Sequence, residues 1–221
     1  MLNITTPYPY KEFKRKTVNG KRLYENPYGE PVPSVTTILS KTKDMTHLNA
    51  WKKRVGEKKA QEIVTEAASV GTVMHEILEA WSLNKEYTGK NMLQAKMMAE
   101  TVIKNVEADI DEVWGSEVNL CYPGLYAGTT DLVGIYKGRP TIMDFKQTNR
   151  PKKREWIDDY FMQAAAYGMA HNEVFETKIE HAAIFMCSRD CDWQLWEVGP
   201  EEFEHWTEKW ANRVQEFYNL S

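Results

Sequence analysis

Cysteine is scarce in this 221-residue chain. Cys121, Cys187 and Cys191 are an odd set that rules out a disulfide framework and points to a reducing compartment. Long apolar runs are missing as well, none approaching the roughly 20 residues needed to span a bilayer. The opening Met-Leu-Asn-Ile-Thr-Thr-Pro carries no signal-peptide pattern. The expectation is a soluble cytoplasmic protein with no membrane partner. An excess of positive charge is also lacking: 28 Lys and Arg stand against 32 Asp and Glu, a formal net charge of -4. That excludes a histone-like or tail-driven nucleic-acid binder. It leaves room for an enzyme whose metal site gathers carboxylates and meets phosphate through local basic patches. Repeats, low-complexity tracts and Ser/Gly linkers are absent. Cys187-x-x-x-Cys191 lacks zinc-site spacing and a second pair, and reads as structural.

What is present suits one domain over 1–221, since 42% of the residues are hydrophobic. Residues 1–40 read as a hairpin and an extended segment, with Asn19-Gly20 suited to a tight turn between 14–18 and 21–25. Ser34 is placed to cap a short helix carrying Ile38 and Leu39. Residues 41–115 form a helical part, interrupted near Gly56, Gly71 and Gly89, whose last helix carries Met98, Val102, Val106 and Ile110 and ends near Gly115. From 116 to 221 the period changes. Three strands at 116–122, 126–136 and 141–148 make an antiparallel meander. A helix over 155–171, strands at 178–188 and 193–198, and a last helix opened by Pro200 follow. The class is α/β, a central mixed sheet flanked by helices.

The chemical signal is Gly128-Thr-Thr-Asp131, then Asp144-Phe-Lys146. Strand alternation puts Asp144 and Lys146 on one face and Phe145 on the other. Asp131, one hairpin away, is close enough for both carboxylates to reach one cation, and hard oxygen donors suit Mg²⁺ or Mn²⁺. Alone, Asp-x-Lys is short and common and is better read as an exposed strand with an ion pair. Its company shifts the balance: His75 lies upstream in Gly71-Thr-Val-Met-His-Glu, Glu117 on the first meander strand, and Gln163 and Tyr167 four residues apart on one helix face.

This order of His, Glu, Gly-x-x-Asp, Asp-x-Lys and Gln-x-x-x-Tyr resembles the RecB-type branch of the PD-(D/E)XK nuclease superfamily, and within it the mitochondrial genome maintenance exonucleases and related phage exonucleases. Pro33-Ser-Val-Thr-Thr-Ile-Leu, with Trp51 after it, resembles the start of that group. The resemblance implies a restriction-endonuclease-like sheet. It implies that Asp131, Asp144 and the Phe145 carbonyl hold metal, that His75 completes or flanks the coordination, and that Glu117 is a ligand or a carboxylate behind the ligands. Lys146 would orient the attacking water and stabilise developing charge. Gln163 and Tyr167 would hold their helix against the Lys146 strand or touch the DNA backbone. No proline precedes Asp131, a departure from the superfamily's name that this branch tolerates. Three cysteines cannot hold the iron–sulfur cluster found in several relatives, so no cluster is expected.

The implied activity is exonucleolytic hydrolysis of single-stranded DNA or flap ends in recombination, replication or repair, in a bacterium or a phage-infected host cell. A single-strand-binding protein, recombinase or helicase would be the partner. A structure-specific endonuclease, an RNA nuclease and a non-catalytic DNA-binding or assembly module are the alternatives. Ser34, Thr36, Trp51, Lys52, Arg150, Lys152 and Lys153 are candidate DNA contacts, with Trp51, Tyr24 or Trp156 stacking on bases.

Overall fold

The computed structural model describes residues 1–18 and 21–220, so the Asn19-Gly20 turn lies outside the described residues. Strands β1 (Lys14–Val18), β2 (Lys21–Asn26) and β3 (Gly29–Pro33) form a small antiparallel sheet. The sequence pattern anticipated the first two strands and left the third as extended chain. Ser34 then caps α1 (Val35–Lys41), its hydroxyl accepting the Thr37 amide at 3.0 Å. Val35, Ile38 and Leu39 anchor this short helix in the core.

Two further helices, α2 (Thr46–Val55) and α3 (Glu57–Ser82), meet at Gly56, whose φ of 88° is a conformation that glycine adopts without steric penalty. The helical part departs from expectation in two places. Helix α3 continues unbroken through Gly71, because Val70, Val73, Met74 and Leu78 are buried around it and their packing outweighs the glycine penalty of about 1 kcal/mol. Helix α4 (Leu93–Val106) stops well before Gly115. A 3₁₀ turn at Glu107–Asp109 redirects the chain into β4 (Ile110–Tyr122), so Ile110 is a strand residue that happens to fall in helical register.

The central sheet has the order β4-β5-β6-β7-β8, with β5 at Tyr126–Tyr136, β6 at Arg139–Thr148, β7 at His181–Ser188 and β8 at Trp193–Val198. Strands β4, β5 and β6 are the antiparallel meander, β6 and β7 pair in parallel, and β8 returns antiparallel. The parallel step requires a crossover, supplied by α5 (Asp158–Phe175). The last helix, α6 (Pro200–Asn219), packs beside α5. Each face of the sheet has its own core. One gathers Val133, Ile142 and Ile184 with α5 and α6. The other gathers Leu132, Met143, Phe145 and Phe185 with α3 and α4. The α/β class, with a five-stranded mixed sheet flanked by helices, is the one expected. No helix among the described residues is long and apolar enough to cross a membrane.

Candidate active site

The site lies where β5 and β6 separate. Their ladder runs through Val133↔Ile142 to Leu132↔Met143, and the next register position would set Asp131 opposite Asp144. Two carboxylates facing each other repel, and the pairing stops there. Phe145 consequently has no β5 backbone partner, and its amide donates instead to Asp131 Oδ2 at 2.7 Å. A strand residue's amide and carbonyl leave along the same edge, so the Phe145 carbonyl faces the same gap. Its side chain is buried against Phe185 in the opposite core, as alternation predicted.

Elements from both sides of the sheet meet in this gap. Helix α3 supplies His75, whose Nδ1 lies 3.4 Å from Asp131 Oδ1. Strand β4 supplies Glu117, which adopts a left-handed φ of 50°. For a residue with a Cβ that conformation stores strain, of order 1 kcal/mol, and strain of this kind concentrates at functional positions. One ligand atom each from His75, Glu117 and Asp131 lies within 4.8 Å of the others, so this trio could hold a metal ion. A nitrogen and two carboxylates are a donor set that fits a divalent cation.

Lys146 projects from β6 on the other side of the trio. Its Nζ lies 2.5 Å from Asp144 Oδ2 and donates to Gln163 Oε1 at 3.1 Å, and Gln163 Nε2 in turn donates to the Tyr167 hydroxyl at 3.2 Å. Tyr160 places its ring 5.0 Å from the same ammonium. The expected i, i+4 relation of Gln163 and Tyr167 therefore belongs to a bonded chain that positions the lysine. Gly128 has a reason as well: a Cβ there would meet the Tyr167 ring at 2.8 Å.

Electrostatics follow from burial and crowding. Burial pushes the Glu117 carboxyl up, and the neighbouring Asp131 charge adds to it, reaching about 7. Burial raises Asp144 to about 6 despite Lys146, with Asp131 contributing. Asp131 is also buried, but His75, Lys146 and the Phe145 amide outweigh that and hold it below the usual range. Burial works against the charged forms of Lys146 and His75, yet the carboxylates beside them hold both above their ordinary values.

The open cleft over the site has a volume of about 800 Å³ and is lined by Arg15, Gly71, His75, Glu76, Glu79, Glu117, Thr129, Asp131, Lys146 and Gln147 among others. Asp144 is not in this lining. It is 2% exposed and turned toward Lys146, so the structure gathers His75, Glu117 and Asp131 at once and keeps Asp144 beside them, outside the trio. Ser34 and Thr36 line a neighbouring cavity. Trp51 and Lys52 lie on α2, which buries no residue. Arg150 is exposed after β6, the Lys152 amide is fixed by Gln194, and Lys153 lies over the exposed Trp156 ring. Tyr24 is 5% exposed with Arg15 above its ring, so its face is not free for a base. Neither Arg15 nor Glu79 is singled out by the sequence. Glu79, four residues after His75, has a helical-spacing signal; Arg15 lies within the basic run Lys11 to Arg22, whose default reading is a solvated face.

The chain matches no family profile. It is 26% identical over 200 residues to the mitochondrial genome maintenance exonuclease 1 of Xenopus tropicalis, covering 84% of this chain and 57% of that protein. The Homo sapiens protein of the same name is 26% identical over 205 residues, covering 84% and 58%. The chain thus spans little more than half the length of these relatives. A solved structure from Eubacterium rectale, described as a candidate exonuclease, superposes with a TM-score of 0.43 at 15% identity over 68% of each chain. The homology to the exonucleases is weak, and it agrees with the superfamily that the motif order resembles.

Proposed function

We propose that the chain is a metal-dependent exonuclease that hydrolyses phosphodiester bonds of DNA, acting on single strands or flap ends. The observation that carries this reading is the convergence of His75, Glu117 and Asp131 ligand atoms within 4.8 Å, beside the ion pair of Lys146 with the buried Asp144. The sequence likeness to exonucleases supports it over a non-catalytic module. The exonucleolytic mode, the DNA substrate, the single-strand preference and a role in recombination, replication or repair come from that likeness.

His75, Glu117, Asp131 and the Phe145 carbonyl would hold Mg²⁺ or Mn²⁺, with Asp144 adding its charge from the adjoining strand. When bound, the ion supplies a Lewis acid that activates water and neutralises charge growing on phosphorus. The chain's own residues do the positioning. The Phe145 amide fixes Asp131 Oδ2 and leaves Oδ1 toward His75. Gln163 and Asp144 hold the Lys146 ammonium, and Tyr167 holds Gln163. With two of its N–H groups so held, the ammonium keeps one to donate to a nonbridging phosphate oxygen, stabilising the charge that develops there, or to the attacking water.

The test is digestion of end-labelled linear and circular single-stranded DNA, and of RNA, with Mg²⁺ or Mn²⁺ and with excess EDTA. Chelator-sensitive shortening of linear DNA from an end is expected. Cleavage that persists in excess chelator would sink the metal mechanism, cleavage of circles would reassign the enzyme as an endonuclease, and preference for RNA would reassign the substrate.

A further inference from the structure

We infer that Arg15, with Ser34, Thr36 and Thr37, forms a seat for a second phosphate of the substrate strand, beside the one being cleaved. The inference rests on the nuclease reading and adds a binding site to it. Arg15 lines both the active-site cleft and a neighbouring cavity of about 100 Å³ whose other walls are Tyr24, Ser34, Thr36 and Thr37. It therefore stands on the boundary between the two spaces.

The guanidinium is oriented and still available. Arg15 Nε donates to the Tyr24 hydroxyl at 2.9 Å, and the guanidinium carbon lies 5.0 Å from the Tyr24 ring centroid. Both contacts fix the plane of the fork. The two terminal nitrogens have no hydrogen-bond or carboxylate partner among the described residues. Such a fork matches two phosphate oxygens at once. Three hydroxyls complete the lining: Ser34 Oγ bonds Thr37 Oγ1 at 2.7 Å and Thr36 Oγ1 at 3.1 Å, a cluster whose rotors can turn protons toward an anion.

Charge in the cleft makes the assignment specific. The lining carries Glu76, Glu79, Glu117 and Asp131, which repel a polyanion, against Arg15 and Lys146 as permanent cations. Lys146 is already paired with Asp144. Arg15 is thus the cleft cation left to hold a phosphate that the metal and lysine do not.

The experiment is fluorescence anisotropy of single-stranded oligonucleotides bearing a 5′-phosphate, a 3′-phosphate or hydroxyls at both ends, with Ca²⁺ in place of Mg²⁺ to limit cleavage, across a NaCl series. Arg15→Gln is expected to bind about tenfold more weakly, as loss of charge-assisted bonds predicts. Its plot of log affinity against log salt should flatten by about 0.7, the contribution of one single-strand phosphate contact. Arg15→Lys should restore the salt slope without the full affinity, and the exposed Thr36→Val should weaken binding with the slope unchanged. Loss confined to one phosphorylated end assigns the seat to a terminal phosphate; equal loss on all substrates assigns it to a backbone phosphodiester. If the wild type binds and cleaves DNA while Arg15→Gln and Thr36→Val match its affinity and slope, the seat is overturned and the nuclease reading stands. If the wild type binds no nucleic acid, both fall.

Discussion

Asp131 Oδ2 accepts the Phe145 amide at 2.7 Å, so a carboxylate takes the place of a missing strand neighbour in the β5–β6 ladder. This bond separates two roles of one side chain. Asp131→Asn keeps an oxygen acceptor for the amide and loses the charge that faces His75. The variant should fold, with thermal stability near that of the wild type. Its cleavage in Mg²⁺ should fall by about a hundredfold or more, as expected when a metal-binding charge and its ordering of a ligand histidine are lost. Wild-type cleavage rates in the purified variant would remove Asp131 from the site.

The pairing of Lys146 with Asp144 leads to a stability test made in EDTA. Asp144 is 2% exposed and its Oδ2 has the ammonium at 2.5 Å. Lys146→Met leaves that carboxylate buried without its cation, and unfolding by urea near pH 8 should show a loss of about 3 kcal/mol. Adding Asp144→Asn should recover most of it, because a neutral amide no longer carries a buried charge. A single variant as stable as the wild type would contradict the pairing.

Much of this geometry was legible in the sequence because strand alternation is a local rule. Period two alone puts Asp144 and Lys146 on one face and Phe145 on the other, and a short hairpin brings Asp131 alongside. The helical i, i+4 relation did the same for Gln163 and Tyr167. What escaped was set by tertiary contacts. Ile110 continued a helical period by coincidence, and only the sheet decides that it begins β4. Gly71 looked like a break because propensity is local, while the burial of Val70 and Met74 that carries α3 through it is not. The turn of Asp144 toward Lys146, away from the His75 trio, depends on where two layers of helices meet. The cavity at Arg15 is assembled from β1, β2 and α1, and no spacing encodes it.

Glu117 offers a trade between stability and metal binding. Burial first, and Asp131 second, raise its carboxyl from 4.5 to about 7. A raised carboxylate is destabilising once ionised: the unfolded chain releases its proton near 4.5, the folded chain only near 7, so stability is lost across that window as pH rises. Above it the penalty is complete. Glu117→Gln should therefore be more stable than the wild type by about 2 kcal/mol in EDTA near pH 8, after allowing for its partial exposure. With Mg²⁺ the order should reverse, since the variant lacks a donor; calorimetric titration should show roughly 10- to 100-fold weaker metal binding. An unchanged metal affinity would make Glu117 a bystander.

One turn beyond Tyr167 on α5, His171 predicts a separate acid sensitivity. It is 0% exposed, set among Tyr8, Tyr10, Trp114 and Phe175, with Nε2 at 2.9 Å from the Tyr10 hydroxyl and Nδ1 at 2.7 Å from Thr177 Oγ1. Burial depresses its pKa from 6.5 to about 4. In the folded protein the ring stays neutral down to that value, while the unfolded chain takes up a proton below 6.5. The stabilising contribution is therefore intact above pH 6.5 and is lost as pH falls toward 4, by up to about 3 kcal/mol at 1.4 kcal/mol per unit. The contact ties the N-terminal segment to α5 through Tyr10, so protonation should loosen that segment first. His171→Gln retains a donor and an acceptor without a titrating proton. It should be less stable than the wild type at pH 8, by about 1–2 kcal/mol for imperfect hydrogen bonds. Its stability should then fall less between pH 6.5 and 4.5, so that the two denaturation midpoints converge. Parallel curves over that range would show that His171 is not the group whose protonation weakens the fold.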